Sequence, residues 1–406
     1  MRFRLAVLIL LLFSAAGTPL TAQNPSSTRI VGYFTAWAIY GRQYFVSDIP
    51  ADKLTHINYA FANVSEEGEC LLGDAWADTQ IAFEGDAADS PLLGSFNQLN
   101  RLKAAHPHLQ TLISVGGWSW SARFSDAALT GESRRTFAAS CVDFMKRYGF
   151  DGIDIDWEYP TGGGNTGNVE RPADRENFIL LLAELRAQLD AMGEQDGRAY
   201  LLTIAASASR RGYEPLDWSR IHPLLDWINV MTYDMSGGWS SRTGFNAPLY
   251  LSTGGGRTPP EGTSTDAALQ GYLTLGVPPE KLVMGVPFYG RGWAGVPAAN
   301  DGLHQPYTRL PDGTWEPGAF EYGDLAANYV GSAAYQRFWN ETAQVPWLYN
   351  ADEGIMISYD DPESLAIKAE YVRQHHLGGV MFWELSHDSA DSALLSALYE
   401  ALSAPG

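Results

Sequence analysis

The sequence predicts an α/β protein, a (β/α)8 TIM barrel with a small α+β insertion domain between strand seven and its helix. Three observations carry this. Apolar runs of strand length recur at 30–37, 54–64, 110–116, 152–157, 201–207, 227–233, 282–289 and 379–385. Segments of helical periodicity separate most of them, at 94–105, 133–148, 173–192, 264–275 and 363–375, with a last one at 391–402. The fourth run is followed by a long helical segment and then another apolar run, which implies a parallel sheet covered on both faces.

Along the chain, residues 1–22 read as a secretory signal. Arg2 and Arg4 form a basic start, 5–13 is an unbroken apolar run, and cleavage falls after Ala16 or Ala22. The run is too short to span a bilayer comfortably, so release is expected: a secreted protein, extracellular or periplasmic, off the membrane once the signal is removed. Residues 23–28 form a short polar linker, and 29–293 hold barrel strands one to seven. The interval 294–354 is rich in Gly, Pro, Tyr and Trp and has no long helix. A structureless loop of that length is implausible in a compact domain, so it is expected to be an inserted domain raising one wall of a groove. Residues 355–406 return to the barrel as helix seven, strand eight and helix eight.

The fourth run, Asp151-Gly-Ile-Asp-Ile-Asp-Trp-Glu-Tyr-Pro160, is the most informative segment. It sets Asp154, Asp156 and Glu158 at alternate positions, on one face of a strand and roughly 6.5–7 Å apart. Such carboxylates repel when ionised, and burial adds to the penalty, so at least one is expected to hold a proton near neutral pH. A solvated acidic strand face is the alternative. The opposite face, Ile153, Ile155 and Trp157, is apolar, which fits either reading. The covered parallel sheet turns the carboxylates inward. A protonated carboxyl beside an ionised one is the raw material of acid catalysis.

A formal net charge of −20 argues against nucleic acid and anionic membranes as partners and suits a neutral substrate. The two cysteines, Cys70 and Cys141, allow a bridge on export but do not indicate one. No His/Cys cluster has metal-ligand spacing, and Gly254 to Gly256 reads as a plain loop rather than a phosphate cradle. No cofactor or metal is expected, and a monomer is.

The run from Asp151 to Pro160 resembles the signature of family 18 glycoside hydrolases, the chitinase family. Ser114-Val-Gly-Gly-Trp118 on strand three, Met231-Thr-Tyr-Asp234 on strand six, Phe288-Tyr-Gly-Arg291 on strand seven and Val380-Met-Phe-Trp383 on strand eight match in order and spacing. The resemblance implies hydrolysis of β-1,4-linked N-acetylglucosamine, with chitin or chito-oligosaccharides as partner. Glu158, at the end of strand four where barrel enzymes place their sites, is the candidate general acid. Asp156 shares its strand, a poor position for a nucleophile on the opposite face of a sugar. The family is among the substrate-assisted exceptions, in which the 2-acetamido carbonyl attacks the anomeric carbon. On that pattern Asp156 supplies an anion near the acetamido N–H, and Asp154 holds Asp156. Tyr233 orients the acetamido oxygen, and Asp234 binds the sugar or the catalytic acid. Trp383 is expected to form a floor under the reacting sugar, and Arg291 to bond a neighbouring one. Tyr33, Phe61, Trp118, Trp157 and Trp239 fit either barrel core or cleft; their strand-end positions suggest the cleft. Met231 either packs beneath the site or touches substrate. A relative acting on another N-acetylhexosamine polymer, or a binding protein without turnover, are the competing readings. The presence of Glu158 argues against the second.

Overall fold

The computed structural model describes residues 28–87, 89–252 and 264–404. The expected signal 1–22, residues 23–27 of the linker and the Gly254 to Gly256 loop lie outside the described residues. In chain order the strands are β1 (Arg29–Thr35), β2 (His56–Val64), β3 (Cys70–Leu72), β4 (Gln110–Gly116), β5 (Gly152–Asp156), β6 (Leu201–Ser207) and β7 (Trp227–Met231), followed by β8 (Leu282–Pro287), β9 (Tyr289–Ala294), β10 (Ala319–Glu321), β11 (Gln336–Asn340), β12 (Val345–Asn350), β13 (Ile355–Ser358) and β14 (Gly379–Trp383). The ring β1-β14-β8-β7-β6-β5-β4-β2 is parallel throughout and closes through a β1–β2 pairing. This is the expected eight-stranded barrel. The short β3 folds back antiparallel on β2.

Helices cover the ring where the periodicity placed them, at Gly94–Ala105, Gly131–Tyr148, Asp174–Asp196, Thr265–Thr274, Pro362–Gln374 and Ala393–Ser403. Their ends are chemically marked. Thr130 caps Gly131–Tyr148 by accepting from the Ser133 amide, and Gly149 ends it at φ 81°. Asp361 caps Pro362–Gln374 in the same way, with Pro at its first position. Strand alternation then sorts the core. On β5, Ile153 and Ile155 are fully buried among the helices, while Asp154 and Asp156 face the barrel axis. A smaller cluster inside the ring includes Val31, Leu112, Trp227, Val283 and Met381.

The interval after strand seven forms a second, antiparallel sheet, ordered β10-β9-β13-β12-β11. It is wider than 294–354. Only Phe288 separates β8 from β9, and β9 pairs with both β10 and β13, so the sheet draws in Tyr289 to Ala294 at one end and Ile355 to Ser358 at the other. The apolar run 282–289 is therefore a barrel strand and the start of an insertion strand in succession. Trp293, Trp347, Tyr349 and Met356 make the insertion's own core. Cys70 and Cys141 are both buried free thiols.

One expectation is corrected here. Trp157 does not line the cleft. It follows the outward-facing Ile153 and Ile155 and is 3% exposed. Its ring stacks on Phe124 (5.4 Å, 16°) and meets Phe178 edge-on (5.7 Å). The period-two alternation that turns the carboxylates inward turns this indole outward to the helices. Trp157→Ala is therefore expected to lower the unfolding free energy by about 3–5 kcal/mol, read from denaturant melts. A loss below about 1 kcal/mol would contradict the packing.

Candidate active site

The C-terminal ends of the barrel strands open into a cleft of about 2130 Å³ walled on one side by the insertion. Strand register builds its centre. Ser114 on β4 and Thr203 on β6 both stand opposite Asp154 on β5. Asp154 is fully buried and accepts four hydrogen bonds. Oδ2 takes Tyr33 Oη and Ser114 Oγ, each at 2.7 Å; Oδ1 takes Thr203 Oγ1 at 2.6 Å and Asn229 Nδ2 at 3.2 Å. Burial pushes its pKa up, and the four donors oppose that push. Those donors saturate the carboxylate's lone pairs, so Asp154 suits the ionised member of the row.

Asp156, one pleat further along, is different. Its Oδ1 has no hydrogen-bond partner among the described residues. Burial, then Glu158, then Asp154 raise its pKa well above the usual carboxylate range. Glu158 follows at the cleft, 8% exposed. Burial lifts its carboxyl to about 7, with a bond from Tyr159 opposing and the charge of Asp234 adding. Protonation at neutral pH is thus favoured at the cleft end of the row.

The backbone around Glu158 is pinned. Its N–H donates to Ser121 Oγ at 2.8 Å, and its carbonyl accepts from Asn168 Nδ2 at 2.9 Å. Ser121 Oγ in turn donates to Gly117 O at 2.9 Å. The two glycines at the end of β4 permit this close fit. Gly116 has φ 107°, and a Cβ there would lie 2.4 Å from Asp156 O. Gly117 has φ 76°, and a Cβ there would meet the Phe61 ring at 2.6 Å.

The end of β7 and the loop after it bring Met231, Tyr233 and Asp234 to the cleft. The Tyr233 hydroxyl has one hydrogen-bond partner among the described residues, Met381 Sδ at 3.8 Å. Burial first, then the neighbouring Tyr289 and the carboxylates, keep this phenol un-ionised and hence a donor. Asp234, at φ 57°, is held by Arg291 through Nε–Oδ1 and Nη2–Oδ2 bonds, each 2.8 Å, and by Tyr289 Oη at 2.8 Å. Arg291 is thus bound first to Asp234, and its guanidinium also lies 5.2 Å from the Trp239 ring centroid.

Trp383 lies in the cleft against Phe61 (5.8 Å, 18°), Tyr33 (5.4 Å) and Trp37 (6.3 Å). Trp118 and Trp239 line it, 50% and 63% exposed. The structure therefore gathers Tyr33, Phe61, Trp118, Asp156, Glu158, Met231, Tyr233, Asp234, Trp239, Arg291 and Trp383 at one cleft, with Asp154 buried beneath them and Trp157 outside. Sequence reading missed Ser114, Thr203 and Asn229 around Asp154, Ser121 and Asn168 around Glu158, and Tyr289 on Asp234. Ser114 and Tyr289 lie within the quoted motifs and were open to notice; the others reach the site through register and loop folding. Among the described residues no group of three or more His, Cys, Asp and Glu is placed to hold a metal.

Comparison with known proteins bears on this arrangement. The chain is 46% identical to Chitinase A1 of Niallia circulans over 92% of its length and 58% of that protein's, so it spans less than two thirds of this relative. It is 35% identical to Chitinase 1 of Aphanocladium album, with 96% and 90% of the two chains covered. The solved structure of chitinase ChiA74 from Bacillus thuringiensis superposes with a TM-score of 0.88 at 42% identity, covering 93% of this chain and 70% of that one. The family model for glycosyl hydrolases family 18 matches residues 29–388, and the chain belongs to that family.

Proposed function

We propose that the protein is a secreted chitinase that hydrolyses β-1,4-linked N-acetylglucosamine polymers with retention, the substrate's own acetamido group acting as nucleophile. The observation that carries this reading is the division of labour along β5 and the turn that follows it. Asp154 is saturated with donors, Asp156 is buried with an unpartnered oxygen, and Glu158 holds its proton up to about pH 7 at the cleft. The names of the relatives support the substrate class.

In this reading Glu158 gives its proton to the glycosidic oxygen as the C1–O bond breaks. The acetamido carbonyl oxygen attacks C1 from the opposite face and closes an oxazolinium ring. Asp156 ends β5 two residues before the acid, and Asp234 is engaged by Arg291 and Tyr289, so neither is placed as an opposing nucleophile. Asp156 instead takes the hydrogen bond of the acetamido N–H, and Tyr233 donates to its oxygen, pre-orienting the nucleophile. Water then attacks C1, Glu158 as carboxylate takes its proton, and the C1–O bond to the acetamido oxygen breaks. Two inversions give net retention. Trp383, backed by Phe61, carries the apolar face of the reacting sugar, and Trp118 and Trp239 offer platforms for its neighbours. A polymer too large to enter a cell fits the expected export signal, and a monomer suffices for the chemistry.

Glu158→Gln is expected to lower kcat on chito-oligosaccharides by about 10²–10⁴-fold with little change in KM, because only the proton donor is removed. A loss smaller than tenfold would assign the acid elsewhere. The pH dependence has a definite sign. The acid works protonated, so kcat/KM is expected to fall as pH rises through about 7. An alkaline limb near the ordinary glutamate value would contradict the burial argument.

A further inference from the structure

We propose that Asn246 is the positioning residue that holds Asp234 at the cleft and couples it to the insertion sheet. The inference rests on the reading of this cleft as the hydrolytic centre and deepens it. Asn246 is fully buried, and every polar atom it has is committed. Its Oδ1 accepts from the Asp234 amide at 3.0 Å, and its carbonyl accepts from the next amide, Met235, at 2.9 Å. Its Nδ2 donates to Tyr289 O at 3.1 Å, and its amide donates to Ser358 Oγ at 2.9 Å. Asn246 thus grips two successive amides after β7 on one side. On the other it grips the first residue of β9 and the last of β13.

The Asp234 backbone needs such a grip. Its φ of 57° is a left-handed conformation that few residues with a side chain adopt. Its carboxylate is separately tied to β9 through Arg291 and Tyr289. Asp234 is therefore clamped at both ends, and both clamps lead to the insertion sheet. Loss of Asn246 leaves the Asp234 amide and the Tyr289 carbonyl without these partners and lets the carboxylate follow Arg291 away from Glu158.

That displacement has a readout a purely structural residue would not move. From its own loop Glu158 faces Tyr159 and from the end of β5 Asp156; from the loop after β7 it faces Tyr233 and Asp234, with Tyr289 and Arg291 of β9 behind Asp234. The nearby Asp234 charge disfavours ionisation of Glu158, so drift of Asp234 lets Glu158 ionise earlier.

The test compares the wild-type chain with Asn246→Ala and Ser358→Ala on a chito-oligosaccharide, measuring kcat, KM and thermal midpoint across pH. In Asn246→Ala, kcat is expected to fall on the order of 10- to 100-fold, more than KM changes. The alkaline limb is expected to move to lower pH by about half a unit. Ser358→Ala keeps the Asp234 contact but loosens its anchor, and the same shift is expected at smaller size. A lowered thermal midpoint with wild-type kcat and an unmoved alkaline limb would overturn the proposal. If Asn246→Ala does not fold, Ser358→Ala decides by the same criterion. A wild-type chain that turns over no chito-oligosaccharide would sink the functional reading instead. The positioning claim would then be read from a crystal structure of whichever variant folds, in which an unchanged Asp234 φ and an intact Arg291 pair overturn it.

Discussion

Three buried carboxyl groups, Asp154 and Asp156 on one face of β5 and Glu158 two residues beyond its end, are the constraint around which this structure is arranged. Neighbours on such a face lie about 6.5–7 Å apart. At an effective dielectric near 20, two charges at that separation repel by about 2 kcal/mol before any desolvation is counted. The row is tolerable only if its members differ. Register makes them differ by placing Ser114 and Thr203 beside Asp154, while Tyr33 and Asn229 complete its shell. Among the described residues no donor reaches Asp156 Oδ1, and Glu158 stands where the cleft begins. Burial raises all three carboxyls; four donors oppose that rise at Asp154, while at Asp156 the neighbouring carboxylates add to it.

The barrel and the insertion have separate tasks in holding this row. The parallel ring fixes the row, because each strand is paired on both sides and cannot slip without turning every side chain to the other face. The insertion sheet controls the opposite wall. It contributes Tyr289 and Arg291, which engage Asp234, and Ser358, which engages Asn246. Glu158 is thereby held between a rigid strand and a second body whose own core of Trp293, Trp347 and Met356 keeps it from deforming.

Much of this was legible in the chain. Eight apolar runs of strand length with intervening helical periods sufficed for the barrel, because a parallel ring buried on both faces leaves near-continuous apolar strands. Alternation placed Asp154 and Asp156 on one face of β5, while Glu158 lies past the strand's end on the turn pinned by Ser121 and Asn168. The same alternation should have excluded Trp157, which shares the parity of Ile153 and Ile155; nearness to the strand end was the weaker guide. The boundary of the insertion was blurred because Tyr289 continues an apolar run that the chain breaks at Phe288. Asn229, Ser121 and Asn246 carried no local signal. Their partners lie 75, 37 and 112 residues away, at Asp154, Glu158 and Ser358, and only the fold brings them together.

The most direct test of the central claim is time-resolved NMR of the purified protein acting on N-acetylglucosamine hexamer, reading the anomeric configuration of the first products. β-Anomers are expected at early times, because acetamido attack followed by water attack inverts C1 twice. Initial α-anomers would mean a single inversion by an activated water, and the roles given to Asp156 and Tyr233 would have to be withdrawn.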